Sequence, residues 1–407
     1  MTATLAERPP SPPQPPADAP RDVLFVEGSG GFGGSTVGLA RLVAGLPAAR
    51  WRAHVVVAHR SQAEYLERAG VAGPGSGVDV AVIPPPVARR GAFSRLDLAW
   101  RTLRHVRALR RFAAGRGIDL VHLNNSVSIN MGGILLARWL RVPCVVKQRG
   151  FEWDSRVNRR LARMVDWYVP DSRAVCGRLE RLGAAPERMT VTYCTVDLDE
   201  YDVHEPREAV RAELGLDPRA PLVGIVGCLV DWKGQDVFLD AAARVLEHRP
   251  DVRAIVVGDT PDGGPSPYAA RLRERHAALG LGDRVRFLGH RDDVPRVLHA
   301  MDVCVHASTK PEPFGTVCAE AMAMRVPIVA ADDGGPPEYV RDGETGLLAP
   351  PGDAASVAAS VLRLLSDAGL RERVVRNVRR EVEERFALPR HVAETLRVYE
   401  HLTARAR

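Results

Sequence analysis

Two glutamates on either side of a Pro-Phe-Gly turn are the most suggestive pair of reactive side chains in the sequence. Glu312 and Glu320 lie in the stretch HASTKPEPFGTVCAEAMA, which follows the strand-like run DVCVHA. The turn predicts a helix that begins near Gly315, with the backbone amides of Gly315, Thr316 and Val317 unpaired at its amino end. Carboxylates beside such amides suit a ligand with both hydroxyl and phosphate groups. Two glutamates at this spacing also commonly share one solvated helix face.

A lysine just before a predicted helix is a second candidate ligand for phosphate. Lys233 and Gly234 follow the strand-like run PLVGIVG and precede the helical pattern QDVFLDAA. A cation beside a helix amino terminus is unfavourable unless an anion neutralises it. Lys233 is therefore predicted to bind phosphate, and a solvated loop lysine is the alternative.

A glycine-rich loop, GSGGFGGS, connects the first strand-like run to a helix predicted over Thr36 to Leu46. Three of its glycines match the G-x-G-x-x-G pattern of dinucleotide-binding sites. A site for NAD would have Asp or Glu at the end of the second strand, where this chain has His59 and Arg60. The loop is typical of phosphate binding, and an NADP-dependent oxidoreductase is the first alternative function.

These candidates follow strand-like runs that fall into two series. The first series is DVLFVEG, AHVVVAH, VDVAVI, DLVHL and VPCVVK, and the second is PLVGIVG, VRAIVVG, RVRFLG, DVCVHA, VPIVAA and GLLAP. Each run is followed by a helical pattern, which is typical of parallel strands buried on both faces. The two series predict an α/β protein with two Rossmann-like doubly wound domains facing each other across a cleft. Ligands of such domains bind at the carboxyl ends of strands.

The predicted domain boundaries follow the changes in composition. Residues 1–20 contain seven prolines and predict a disordered tail. An amino-terminal doubly wound domain is predicted over 21–200, a hinge over 201–220 and a second doubly wound domain over 221–385. A C-terminal helix is predicted over 386–407, and its packing back on the N-terminal domain is left open.

The composition is that of a globular enzyme rather than a membrane-spanning or nucleic-acid-binding protein. The chain has 407 residues, 45% of them hydrophobic and 26% charged, and no run of eighteen uncharged apolar residues. The net charge of +6 comes from an excess of arginine, and no basic groove with interleaved aromatic residues accompanies it. The six cysteines form no C-x-x-C pair, which argues against a zinc site and fits free thiols in the cytoplasm.

A basic amphipathic helix is predicted in the amino-terminal half, over Ser94 to Arg116. Its arginines are Arg95, Arg101, Arg104, Arg107, Arg110, Arg111 and Arg116. Its expected apolar contacts are Leu96, Trp100, Leu103, Val106 and Phe112. Such a helix can lie on anionic lipid, which would suit a peripheral position on the cytoplasmic face of a membrane. A plain solvated face is the alternative.

The motifs together resemble the retaining glycosyltransferases of the GT-B fold, family 4, the glycogen-synthase-like group 1 glycosyltransferases. PEPFGTVCAEAMA is similar to their E-x7-E motif, GCLVDWKGQD to their "GRL…KG" loop, and VAADDGGPPEYVRDGETGLLAPPGD to their G-G-x-x-E…G-x-x-G-L-L element. GGFGGSTVGLARLV resembles the glycine loop of their amino-terminal half. The resemblance covers nearly the whole chain from Asp22. It implies that 21–200 is the acceptor-side domain and that 221–385 is the nucleotide-sugar-binding domain.

The resemblance implies transfer of a sugar from a nucleotide-sugar donor, with retention of anomeric configuration and without a metal or other cofactor. Lys233 would hold the diphosphate, Glu320 the ribose hydroxyls and Glu312 the hydroxyls of the donor sugar, while Asn124 completes the catalytic set. Other positions expected to contact substrate are Gly34, Ser35, His122, Arg149, Cys228, Phe314, Gly315, Thr316 and Val317. The acceptor would be a polysaccharide, a glycolipid or a small molecule of a bacterium.

Three positions depart from the family pattern. Cys228 stands where an arginine is usual, Asn124 stands at the second histidine of an H-x-H loop, and Arg149 replaces the histidine of a later His-Gly. Arg149 and Lys147 are candidates to restore the positive charge lost at Cys228. Asn124 alternatively caps a helix predicted over Val127 to Leu140. The departures leave open a pseudo-glycosyltransferase that binds a nucleotide-sugar without transferring it.

Overall fold

The computed structural model describes residues 19–31, 33–86, 94–260 and 263–405, and for residues 94–96 and 405 it describes the backbone only. The proline-rich tail predicted over 1–20 therefore lies outside the described residues, except for its last two.

Strands and helices alternate along the described chain, and the strands form two sheets of six. The first sheet contains β1 (Arg21–Glu27), β2 (Trp51–Val57), β3 (Asp79–Val82), β4 (Ile118–Asn124), β5 (Cys144–Gln148) and β6 (Trp167–Pro170). The second contains β7 (Leu222–Val226), β8 (Arg253–Val257), β9 (Val285–Gly289), β10 (Val303–His306), β11 (Ile328–Ala331) and β12 (Leu347–Ala349). All eleven predicted runs contain a strand. The four-residue strand β6 was not predicted.

The helices of the first half are α1 (Gly34–Ala44), α2 (Arg60–Arg68), α3 (Ser94–Ala113), α4 (Met131–Leu140), α5 (Arg156–Ala162), α6 (Arg173–Arg181) and α7 (Arg207–Glu213). Those of the second half are α8 (Gln235–His248), α9 (Pro267–Ala278), α10 (Val294–Ala300), α11 (Thr316–Ala323), α12 (Ala354–Ser366), α13 (Ala368–Arg385) and α14 (Leu388–Arg405).

The predicted boundaries of three helices were wrong by a few residues, and α1 ends at Ala44 rather than Leu46. Helix α1 begins at Gly34 rather than Thr36, and α4 begins at Met131 rather than Val127. Helix α3 ends at Ala113 instead of Arg116, because Gly115 adopts a φ of +76°, which ends an α-helix.

The strand order confirms the predicted doubly wound fold. The first sheet has the order β3-β2-β1-β4-β5-β6, and the second has the equivalent order β12-β11-β10-β7-β8-β9. Every strand pair with a described register is parallel. In each sheet the strand order reverses between two adjacent strands, β1 and β4 or β7 and β10. Ligands of doubly wound sheets bind at this reversal, beside the carboxyl ends of the two strands.

Contacts between residues divide the chain into two units. The first contains residues up to Lys147, Glu152–Tyr168 and the residues from Leu396 onward, and the second contains Gln148–Phe151 and Val169–Thr395. Side chains of the central strands are almost fully buried in each unit. Each unit thus has a hydrophobic core that fixes the loops after its strands.

Candidate active site

In the second unit, Lys233 lies in a short 3-10 turn, Asp231–Lys233, between β7 and α8. Gly234 follows it with a φ of +71°, and a Cβ at this position would overlap the carbonyl oxygen of Ala307, just after β10. Only glycine combines this backbone conformation with such a close approach. The glycine therefore holds the lysine loop against the carboxyl end of the neighbouring strand.

The carboxylate of Glu312 lies at this same place and accepts hydrogen bonds from three side chains. Lys233 Nζ donates to Glu312 Oε1, and Ser308 Oγ lies 2.8 Å from the same oxygen. His306 Nε2 is 3.3 Å away. Among the described residues, no donor contacts Oε2 of Glu312. The second oxygen is thus available to accept a hydrogen bond from a ligand hydroxyl.

The surroundings of Glu312 keep its carboxylate ionised. Its burial raises the pKa, but the hydrogen bond from His306 and the hydrogen bond and charge of Lys233 outweigh burial and hold the pKa well below the usual range. The amide of Ala331 lies 3.4 Å from Nδ1 of His306, which therefore acts as the acceptor and leaves Nε2 as the donor. Glu312 is consequently a permanent anion and hydrogen-bond acceptor at neutral pH.

Two consecutive glycines fix the backbone beside Glu312. Gly334 has a φ of +74°, and a Cβ there would overlap the carbonyl oxygen of Glu312. The amide of Gly335 donates to that same oxygen at 2.8 Å. The G-G pair found in the sequence thus supports the main chain of Glu312.

Helix α11 begins beside this cluster, at the position predicted from the Pro-Phe-Gly turn. The amides of Thr316 and Val317 have no hydrogen-bond acceptor among the described residues, and Thr316 is exposed. Glu320 is half-buried one turn further, on the same helix face as Thr316. These amides and the helix dipole favour an anion at this end of α11.

The side chain of Phe314 belongs to the core rather than to the site. It is 2% exposed and packs against Tyr339, with ring centroids 5.1 Å apart, and against Phe386 at 5.2 Å. The hydroxyl of Tyr339 lies 2.6 Å from the carbonyl oxygen of Phe314. The aromatic cluster therefore stabilises the Pro-Phe-Gly turn by packing against it. Any contact of Phe314 with substrate must come from its backbone.

Cys228 is exposed in the loop after β7, and its carbonyl oxygen accepts a hydrogen bond from the buried side chain of Gln235 at 2.9 Å. Tyr268 in turn lies 3.2 Å from Gln235 Oε1. Helix α8 thus fixes the backbone at Cys228. A thiol at this exposed position supplies no cation for a diphosphate.

Arg149, the candidate to replace that cation, already has a carboxylate neighbour in the second unit. Its Nη1 lies 3.9 Å from Oδ2 of Asp171, whose side chain is only 3% exposed. Lys147 is buried on β5 and belongs to the first unit. The compensation for Cys228 by either residue stays a prediction.

Glu338, in the short turn Pro336–Glu338, was not singled out by sequence. Its carboxylate accepts hydrogen bonds from the amides of Arg173 and Ala174 at 3.0 and 2.9 Å, and from the hydroxyl of Tyr193 at 3.0 Å. The glutamate of the G-G-x-x-E element therefore caps the amino end of α6 within the second unit.

In the first unit, Asn124 connects the two ends of the glycine loop. Its side-chain amide donates to the buried carboxylate of Glu27 and, at 2.9 Å, to the carbonyl oxygen of Ser35. The other carboxylate oxygen of Glu27 accepts from the amide of Ser29 at 2.8 Å. Asn124 does not cap α4, whose N-cap is Asn130. Its observed contacts position the loop, and its catalytic role stays a prediction.

Gln62 on α2 also holds the glycine loop, and sequence reasoning missed it. Its side-chain amide donates to Ser29 Oγ at 2.9 Å and to the carbonyl oxygen of Gly31 at 3.0 Å. A Cβ on Gly34 would meet no atom within 4 Å, and Gly34 has no left-handed φ. Neither packing nor backbone geometry requires glycine at this position, so the open space there is consistent with a ligand.

His122 lies in the core of the first unit, which corrects its predicted contact with substrate. It is fully buried, its Nδ1 lies 2.7 Å from the hydroxyl of Tyr399, and its ring is 5.1 Å from that of Phe25. A ring without exposed surface cannot touch a substrate, so His122 acts through packing.

The structure therefore brings Lys233, Glu312 and the start of α11 together, as the sequence predicted. It adds His306 and Ser308, which the strand run DVCVHA and the serine after it could have indicated. Within the described ranges, no group of three His, Cys, Asp or Glu side chains is placed to hold a metal ion. Metal independence stays a prediction.

Two family models match the chain. The model "Glycosyl transferases group 1" matches residues 206–381, and "Glycosyltransferase Family 4" matches residues 32–200. The D-inositol 3-phosphate glycosyltransferase of Salinispora arenicola is 32% identical over 70% of this chain and 69% of its own length. The same-named protein of Streptomyces bingchenggensis is 31% identical over 69% of this chain and 66% of its own length. The match to a relative of the same name from Mycobacterium covers only 40% of that relative's length.

One solved structure is similar to this chain over nearly its whole length. Anabaena Alr3699/HepE, crystallised in complex with UDP and glucose, has a TM-score of 0.77 and 28% sequence identity, and the match covers 93% of this chain and 99% of that one.

Proposed function

Because the chain belongs to the group 1 glycosyltransferases and has their GT-B fold, we propose that it transfers a sugar from a nucleotide-sugar to a hydroxyl of its acceptor with retention of anomeric configuration. The acceptor class is a polysaccharide, a glycolipid or a small molecule.

The observation that best supports this proposal is the arrangement around Glu312. A buried carboxylate with one available oxygen lies beside a lysine and beside the open amides of α11, at the point where the strand order of the second sheet reverses. A nucleotide-sugar presents hydroxyls and a diphosphate side by side. Its hydroxyls match the carboxylate, and its diphosphate matches the lysine and the amides.

Each group then has a distinct task in the transfer. Glu312 accepts hydrogen bonds from the hydroxyls of the donor sugar, and Glu320 binds the ribose hydroxyls. Lys233 exchanges part of its contact with Glu312 for the diphosphate, whose negative charge grows as the bond from the anomeric carbon to the phosphate oxygen breaks. The acceptor oxygen forms the new bond on the same face, and its proton passes to the departing phosphate oxygen. Glu312 serves as an anchor and not as a nucleophile.

The donor can be identified by thermal shift, because a ligand that binds only the folded state raises Tm. UDP-glucose is proposed as the first donor, by likeness to the Anabaena structure with UDP and glucose, and GDP- and dTDP-sugars and NADPH complete the panel. Transfer to candidate acceptors, including D-inositol 3-phosphate, would follow by NMR of the anomeric proton. A shift with NADPH alone would contradict the proposal. Binding of a nucleotide-sugar without any transfer would favour the pseudo-enzyme.

We further propose that α3 and α4 contact an anionic membrane surface. Thr102, His105 and Leu109 form the buried face of α3, whereas Trp100 and Leu103, expected as apolar contacts, are 54% and 46% exposed. For Arg95 and Leu96 the structure describes only the backbone. Within the described residues, no helix combines the length and the apolar character needed to cross a bilayer. A surface contact is the form of membrane binding that these helices can make.

The exposed face combines aromatic rings with guanidinium groups. Arg104 lies over the ring of Trp100 at 4.7 Å, and Arg110 lies over that of Trp139 on α4 at 3.6 Å. Trp139 is 54% exposed. Tryptophan and arginine are favoured at the interface between water and anionic lipid.

Sedimentation with phosphatidylglycerol vesicles tests this face. Arg104→Gln combined with Arg107→Gln should weaken binding about thirtyfold, because each arginine near an anionic surface contributes about 1 kcal/mol. Trp100→Ala with Trp139→Ala should also weaken it, whereas Trp153→Ala, at an 80% exposed tryptophan elsewhere, should not. Equal sedimentation of all these variants would show that the face is merely solvated.

A further inference from the structure

A cavity of about 590 Å³ lies at the amino edge of the second sheet. It is lined by Pro221, Asp302 and Pro327, which directly precede β7, β10 and β11. Lys233 and Glu312 follow the opposite, carboxyl ends of β7 and β10. The cavity is therefore separate from the candidate active site, and its volume is typical of sites for small molecules.

Positive charge predominates in the lining of this cavity, with five arginines against the two carboxylates of Asp302 and Glu372. The arginines are Arg207 and Arg211 on α7, Arg219 in the loop after it, Arg325 between α11 and β11, and Arg371 on α13. A concave wall with an excess of one charge concentrates ions of the opposite sign.

Two of the five arginines make hydrogen bonds within the protein. Arg211 donates to the carbonyl oxygen of Ala300 and to the carboxylate of Asp302, both at 2.8 Å. Arg207 donates to the carbonyl oxygen of His299 at 2.7 Å and lies 3.4 Å from Asp302. These two side chains donate hydrogen bonds to carbonyl oxygens at the carboxyl end of α10, and they neutralise the charge of Asp302.

The side chains of the other three arginines make no such hydrogen bonds among the described residues. Among the described residues, the guanidinium groups of Arg219, Arg325 and Arg371 have no hydrogen-bond acceptor and no ion-pair partner. Three like charges around one cavity repel one another, and an anion between them would remove that repulsion. Guanidinium groups bind phosphate oxygens through paired hydrogen bonds.

The backbone of Arg325 adds an independent observation. Its φ is +58°, in the left-handed region that glycine normally occupies just after a helix. Outside glycine, only Asn125 and Arg141 share a positive φ among the described residues. A side chain held in this conformation is often associated with a functional site. Here the residue in the left-handed conformation lines the cavity.

We propose that this arginine pocket, formed by Arg219, Arg325 and Arg371, binds a small organic phosphate as a second ligand of the protein. The three guanidinium groups would hold the phosphate. The remaining wall contains the partly exposed apolar side chains of Leu365 and Val375, which suit the organic body. This proposal does not depend on the sugar transfer proposed above.

Calorimetric titration with glucose 6-phosphate, at constant ionic strength, tests the pocket. Arg325→Gly and the double variant Arg219→Gln with Arg371→Gln should each weaken binding about ten- to a hundredfold, because charge-assisted hydrogen bonds to phosphate are lost. Arg325→Gly should at the same time raise Tm without ligand, because glycine tolerates the left-handed backbone. A gain in Tm together with a loss of affinity distinguishes a ligand site from a structural arginine.

Matched controls separate this pocket from the active site and from general screening. Lys233→Ala, and Arg376→Gln at an exposed arginine of the same helix as Arg371, should both bind glucose 6-phosphate as the wild type does. The proposal is overturned if the wild type does not bind, if Lys233→Ala abolishes binding, or if all arginine variants bind equally. Equal affinity for inorganic phosphate would overturn the assignment of an organic ligand, and a lower Tm of Arg325→Gly would overturn the argument from strain.

Discussion

Replacing Lys233 with alanine should lower turnover on the order of 10²- to 10³-fold, a loss comparable to that of one oxyanion-stabilising donor. Lys233 is the cation that contacts Glu312, and Cys228 provides no second charge in its loop. The diphosphate would thus lose its charged partner as its own negative charge develops. Initial rates at saturating donor measure this effect.

The neighbouring Lys310 offers a matched control for this variant. It is exposed in the loop after β10 and has no ion pair among the described residues. Lys310→Ala should retain nearly wild-type turnover, and both variants should unfold at similar denaturant concentrations. Turnover of Lys233→Ala within a few-fold of the wild type would make Lys233 an ordinary loop residue.

Replacing Glu312 with glutamine should also lower kcat/KM on the order of 10²-fold, and it should reduce the free energy of unfolding by about 1–2 kcal/mol. Hydrogen bonds to a charged acceptor contribute more than those to a neutral one. Lys233, Ser308 and His306 all donate to the carboxylate. Glu247→Gln, at an exposed glutamate of α8, is the control and should change neither quantity.

The stability loss of Glu312→Gln should depend on pH with a defined sign. The pKa of Glu312 is lower in the folded protein than its usual value of 4.5, so its charge stabilises the fold fully above that value. The difference in free energy of unfolding between the wild type and Glu312→Gln should be the same at about pH 7 and at about pH 5.5. It should shrink progressively below about pH 4.5. Urea unfolding at these values measures it. A difference that grows on acidification would contradict the ionised state.

The elements that surround the site were predictable because their signals are local. Strand runs, helix periodicity and turn residues occupy consecutive positions, and all eleven predicted runs became strands. The start of α11 after the Pro-Phe-Gly turn was predicted for the same reason. Helix ends were less accurate, as at α4, which begins at Met131 although a helix was predicted from Val127.

The side-chain partners were decided by tertiary structure. Sequence identified Asn124 and His122 as candidate site residues, yet Asn124 contacts Glu27, 97 residues away, and His122 contacts Tyr399, 277 residues away. The periodicity of a strand indicates that a residue is buried but not what it is buried against. The strand order and the position of the C-terminal helix determine that.

The sequence by itself determined the two α/β series, the loops that follow their strands and the chemical types of Lys233 and Glu312. Only the tertiary structure decided that these two residues, 79 positions apart, contact each other, and that His306 and Ser308 join them. Strands β7 and β10 are adjacent and parallel although β8 and β9 lie between them in sequence. Their carboxyl ends therefore meet through the sheet topology, which hydrogen bonding between distant strands determines and local sequence does not.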